Sequence, residues 1–157
     1  LRQSTTFFAS SCLLAIGGVL ALIGNVDPLT GLANKLYEEA APKVLWQLKL
    51  VLVALFLVQA FLRFVWSNRV FGYCAVLMGA MPNDPEDAAV PSLVRRAADL
   101  NIRAAINFNR GLRAMYFALG AVAWLMGPVP LLIAAVFAIW VVWSREFASV
   151  PRQILSR

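Results

Sequence analysis

The side chains best suited to binding or relaying charge lie in one stretch, Asp99-Leu100-Asn101-Ile102-Arg103-Ala104-Ala105-Ile106-Asn107-Phe108-Asn109-Arg110-Gly111-Leu112-Arg113. On a helix, Asp99, Arg103, Asn107 and Arg110 recur at steps of four, four and three and share one stripe. Ion pairing along that stripe, with amides as further partners, would hold several polar groups together at low dielectric. Two functions fit it. One is an anion site, or the cytoplasmic mouth of a conduction path. The other, which we favour, is an anchor that binds lipid phosphate at an inner leaflet. Gln59 and Arg63, one turn apart, form a second polar pair, and a Gln within an apolar helix serves more often as helix-to-helix glue than as a transport ligand. Lys49, with Gln47 nearby, reads as a snorkelling anchor at the opposite end of the same segment.

Little else offers chemistry. The chain has no His, which excludes imidazole ligation of haem, and no phosphate-cradling glycine loop, metal-spaced cluster or nucleophile beside a base. Gly17-Gly18 lies inside an apolar run. Cys12 and Cys74 sit in different apolar segments and read as unpaired packing residues. No catalytic, cofactor-binding or metal-binding residue is assigned, no cofactor is expected, and the chain is not expected to be an enzyme.

The elements that carry these residues follow from composition. Of 157 residues, 61% are hydrophobic and 14% charged, too apolar for so short a chain to fold in water without exposing large apolar patches. A bilayer removes that difficulty. A spanning helix needs about 20 residues to cross a core roughly 30 Å thick. Residues 5–24 meet that length without a charge, and residues 44–66 meet it with Lys49 and Arg63 near the two ends. An N-terminal secretory signal would have a shorter apolar core and a small-residue cleavage site, so the first segment is expected to be retained. Two further apolar runs, Ala114 to Met126 and Val129 to Trp143, flank Gly127-Pro128, which predicts a tight turn between antiparallel helices. Counted back 20 residues from Met126, the third span begins near Asn107, which places Arg110 roughly 5 Å and Arg113 roughly 9 Å inside the slab. The expected spans are therefore 5–24, 44–66, 107–126 and 128–144.

Basic residues set the orientation, because cytoplasmic connections carry an excess of Lys and Arg. Arg69, Arg95, Arg96 and Arg103 follow the second span, and Arg145, Arg152 and Arg157 follow the fourth, while the other connections are nearly neutral. Leu1 and Arg157 are both expected on the cytoplasmic side. Residues 29–41 have helical apolar spacing and should lie along the outer interface. Residues 68–81 read either as a continuation of the second helix or as an interfacial segment. Ser92 is a candidate N-cap for a basic amphipathic helix over about 92–106, suited to an anionic leaflet and leading into the third span directly or through a bend at Gly111. On the first span, Ser11, Ala15 and Gly18 share a face beside Gly17 and Ala21, which predicts a tight contact with another helix. Trp46, Trp66, Trp124, Trp140 and Trp143 lie toward helix ends, as interfacial anchors do.

The segments STTFFASSCLLAIGG and AADLNIRAAINFNRGLRAMYFALGAVAWLMGP, followed by WSREFAS, resemble the bacterial membrane family catalogued as domain of unknown function 599. The resemblance runs over most of the chain and is most specific from Asp99 to Arg113. It implies an architecture and no activity, so no functional residue is carried over. Members of the family typically have a further apolar segment ahead of the part matching Ser4 onward. This implies a fifth helix and a true N-terminus on the opposite side.

The expectation is a single all-α transmembrane domain over 1–157, a polytopic bundle of four spans with short interfacial helices, in a bacterial inner membrane. Its expected role is a non-enzymatic accessory or scaffold subunit of a membrane assembly. The alternative is a small homo-oligomeric channel or transporter. Candidate polar or headgroup-binding residues are Arg103, Asn107, Arg110, Arg113, Gln59 and Arg63. Expected partners are anionic membrane lipids, and either further copies of the chain or a larger membrane complex, with no nucleic acid.

Overall fold

A computed structural model describes residues 2–31, 42–84 and 86–147, and all its regular structure is helical. The elements are α1 (Arg2–Gly24), α2 (Lys43–Gly79), α3 (Val90–Ala123), a 3-10 turn (Trp124–Met126) and α4 (Pro128–Phe147). Residues 27–31 are also helical, and the rest of the expected outer interfacial helix, like the basic tail beyond residue 147, lies outside the described residues.

α2 and α3 form a long antiparallel hairpin. Along α2 the buried residues Trp46, Leu50, Val53, Leu57, Ala60, Phe64 and Ser67 alternate steps of four and three, the spacing of a coiled-coil seam. The facing stripe of α3 is small: Ala97, Ala104, Gly111 and Ala118 recur every seven residues and all are buried. Small residues opposite larger ones let two backbones approach closely, which matters where dispersion is the main attraction between helices. At Gly111 the approach is closest, since a Cβ there would lie 2.8 Å from the Phe64 ring.

Helices α2 and α3 resolve two points that the sequence leaves open and correct a third. Residues 68–79 continue α2 as helix. The amphipathic stretch 92–106 leads into the following helix directly rather than through a bend: it is the first half of α3, which runs unbroken through Gly111. Its apolar face, with Ala97 and Ala104, packs on α2. Ser92 does not cap the helix. Asp87 Oδ1 takes the Ala89 amide at 2.8 Å and the Asp87 carbonyl takes the Val90 amide, so the helix starts at Val90 and Ser92 Oγ donates back to the Ala89 carbonyl. Pro91 then falls in the first turn, where a missing N–H is no loss.

α1 lies in the groove on one side of the hairpin. Phe8 stacks on Phe64 at 5.3 Å and meets Phe108 edge-on at 5.7 Å, and Cys12 is buried against Ala60, Phe64 and Ala114. The inward face of α1 is thus Thr5, Phe8, Cys12 and Val19. The predicted small-residue face is not the one used: Ala15, Gly17, Gly18 and Ala21 are exposed, and nothing lies within 4 Å of a Cβ built at either glycine. α4 packs on the other flank of the hairpin after the turn at Gly127, whose φ of 121° suits glycine. α1 over Gln3–Gly24 and α2 are long and apolar enough to cross a membrane by length and composition, and Pro128–Ser144 is an apolar but shorter helix.

Candidate functional site

Polar side chains join the helices at three levels along the hairpin. Toward the 80–89 connection, Cys74 Sγ donates to the Ala97 carbonyl at 3.3 Å and Ser67 Oγ donates to the Ala104 carbonyl at 2.8 Å. Both acceptors already belong to the α3 backbone ladder, so these contacts tie the two helices without opening either. Beside them Thr5 Oγ1 donates to Asn68 Oδ1 at 3.2 Å, pinning the start of α1. Cys12 and Cys74 are both free thiols and both buried.

The second level holds the candidate site. Arg63 Nη1 donates to Asn107 Oδ1 at 3.1 Å, and Asn107 Nδ2 donates to the Arg103 carbonyl one turn back at 2.9 Å. Asn107 is thereby oriented by its own helix and presents its oxygen to α2. The neighbouring residues point the other way, with Phe64 and Phe108 meeting at 5.5 Å inside the three-helix junction. The predicted stripe is brought together only in part. Arg103 and Arg110 share a flank of α3 and are exposed, and Arg113 is half-buried on the next flank. Asp99 is exposed and forms no ion pair with Arg103 among the described residues. The predicted Gln59–Arg63 pair does not form: Gln59 is exposed, and Arg63 reaches across the seam. A side chain flanking the seam meets the opposing helix more readily than its neighbour one turn along.

At the third level, 14 residues from Arg63 on the same flank of α2, Lys49 Nζ lies 4.9 Å above the Trp46 ring and 5.2 Å above the Trp124 ring and donates to the Trp124 carbonyl at 3.3 Å. That carbonyl belongs to the 3-10 turn and also accepts the Gly127 amide at 3.2 Å, so Lys49 adds a second donor to an acceptor that closes the turn. Lys49 thus clamps α2 to the α3–α4 turn, a role beyond the anchor expected from its position. Its signal in the sequence is a lone Lys three residues from one Trp, facing a turn that begins with another. Gln47 Nε2 donates to the Ile23 carbonyl at 3.3 Å, and Lys43 pairs with Asp27, closing the same end against α1.

Along the flank shared with α4 runs an open groove of about 310 Å³, lined by Leu52 and Phe56 of α2, Phe117 and Gly120 of α3, and Ala135 and Ile139 of α4. Its walls are apolar. Among the described residues no three His, Cys, Asp or Glu side chains converge.

These features define a class, an all-helical chain built on a coiled-coil-like hairpin with a basic, amide-bridged level partway along it. The sequence matches the family described as protein of unknown function, DUF599, over residues 1–151, and the chain belongs to that family. Comparison with curated proteins and with solved structures gave no match.

Proposed function

We propose that this chain is an integral membrane protein of the bacterial inner membrane, spanning it with all four helices, residues 1 and 157 being cytoplasmic. We further propose that it serves as a non-enzymatic accessory or scaffold subunit of a membrane assembly. The observation that carries the reading is the apolar surface left uncovered on α1 and α4. Leu13, Leu14 and Leu20 on the first, and Leu132, Ile133, Phe137 and Trp140 on the second, are all more than half exposed, Leu14 at 81%. Water would not tolerate that surface, whereas lipid or a partner helix would.

Helix register supports the four-span assignment. Trp46 and Trp66 are 20 residues apart on α2, about 30 Å by the helix rise and close to the thickness of a hydrocarbon core. Antiparallel packing sets Asn107 level with Arg63 and Trp124 level with Lys49. A slab that holds α2 between its two Trp residues therefore holds α3 from about 104 to 127, a stretch that contains the expected span 107–126, with Arg110 and Arg113 about two turns from its edge. The remainder of the hairpin, residues 68–79 and about 90–103, would stand out on the basic, cytoplasmic side.

The scaffold reading is favoured because the hairpin interior is closed. Val53, Leu57, Ala60 and Phe64 fill the seam, and the buried polar side chains Thr5 and Ser67 both have partners. A conduction path would have to run between chains. The second reading, a homo-oligomeric channel, rests on the Arg63–Asn107 bridge with Arg110 beside it, a polar mouth several copies could share. Both readings call for association, and the small-residue face of α1 around Gly17 and Gly18 is the surface offered for it. Native mass spectrometry of the chain released gently from its own membrane separates them. Stoichiometric recovery with a larger complex is the expected result. A single-species homo-oligomer, with ion flux abolished by Arg110→Gln and Arg113→Gln, would replace the scaffold with the channel.

A further inference from the structure

The groove between α4 and the hairpin is in line with the basic level, and the coiled-coil repeat shows how. Lys49, Phe56 and Arg63 occupy the same flank of α2 at successive steps of seven, and Phe56 lines the groove. On α3 the matching flank carries Arg103, Arg110 and Phe117, and the next carries Arg113 and Gly120; Phe117 and Gly120 line the groove as well. One heptad, about 10 Å along the axis, therefore separates apolar groove from guanidinium on both helices. At the groove's other end stands the Lys49–Trp124 clamp.

We propose that this groove is a selective site for an anionic phospholipid. Its phosphate would be held by Arg63 and Arg110 beside Asn107, and one acyl chain would lie along Phe56, Phe117 and Ile139. Charge complementarity identifies the occupant. The apolar walls accept any lipid tail, but the mouth adds two guanidinium groups, one of them already oriented by Asn107, and a guanidinium pairs with a phosphate through parallel hydrogen bonds. No carboxylate is placed beside Arg63 or Arg110 among the described residues to compete for them. Gly120 matters for the same site: a Cβ there meets nothing within 4 Å, so the wall is set back where a chain would pass. The inference rests on the membrane reading above and adds an occupant to it.

The test is reconstitution of the full chain into vesicles of phosphatidylcholine with a minor share of phosphatidylglycerol of the same acyl chains. Flotation is followed by gentle extraction and native mass spectrometry of the retained lipid. Phosphatidylglycerol should be retained over phosphatidylcholine. Arg63→Gln and Arg110→Gln should each lower that retention about tenfold, the weight of one charge-assisted hydrogen bond. Arg69→Gln, the same charge change at an exposed position off the groove, should leave it unchanged. Gly120→Leu, which fills the groove without altering charge, should lower retention too, and excess inorganic phosphate should fail to displace the lipid. Helicity is followed throughout, and Arg110→Gln, at an exposed position, keeps the test valid if another variant misfolds. Equal retention of the two lipids, an equal loss with Arg69→Gln, or displacement by inorganic phosphate would each overturn the site while leaving the membrane reading intact. A chain that does not float with the vesicles would overturn both.

Discussion

The hairpin seam and the packing of α4 solve the same problem differently. In the seam every seventh residue of α3 is Ala or Gly, the α2 residues are larger except at Ala60, and Ala60, Phe64 and Ala104 are inaccessible. On α4, nearly every residue from Val129 to Trp143 is apolar, Ala138 is the buried one among those described, and grooves of about 310 and 280 Å³ remain on either side. Apolar character alone brings a helix to its neighbours but does not close the contact. Closure needs size complementarity at fixed spacing, because dispersion is gained only between packed atoms, and on the membrane reading proposed above that is the main gain.

The sharpest way to break this contrast is to empty the seam. Phe64→Ala should destabilise the chain by about 3 kcal/mol, the low end for a buried Phe when, as proposed, lipid solvates apolar groups, and the loss should appear as a lowered thermal midpoint in detergent. Gly111→Ala approaches the same point from the other side. It drives a methyl into the Phe64 ring and should cost about 1–3 kcal/mol, with part recovered in the double variant with Phe64→Leu. Lys49→Gln removes the clamp on the α3–α4 turn and should cost about 1 kcal/mol, with proteolysis appearing first at that turn. Ala135→Leu enters the groove rather than the seam and should change the midpoint least, by less than about 0.5 kcal/mol. A cost for Ala135→Leu as large as that for Gly111→Ala would erase the difference between the two regions.

Much of the helical order was legible in the sequence because length and apolarity are local properties. Residues 5–24, 44–66 and 128–144 fall inside α1, α2 and α4, and Gly127-Pro128 forms the turn it predicts. The continuity of α3 stayed open between direct passage and a bend at Gly111, since a polar-to-apolar change fits either, and the helix is continuous. The seven-residue recurrence of Ala97, Ala104, Gly111 and Ala118 was the available signal, and it carries more weight than the charge pattern that surrounds it. At the site, Arg63 and Asn107 were both identifiable as polar residues in apolar helices. Their pairing was not, because it depends on the antiparallel register of two segments 44 positions apart. The small face of α1 carried a similar ambiguity: the spacing foresaw a contact, and inside this chain α1 turns Phe8 and Cys12 inward instead.

In the proposed arrangement α3, the most charged of the four helices, crosses the bilayer together with α2. In a full-length chain with Cys12 and Cys74 replaced by Ala, single cysteines at Met126→Cys and Glu86→Cys would mark the two ends of the hairpin, both at exposed positions. A membrane-impermeant maleimide applied to intact cells should label the first and reach the second only after the membrane is opened. Labelling of both from the same side would contradict the four-span arrangement, and with it the orientation of the Arg63–Asn107 level toward the cytoplasm.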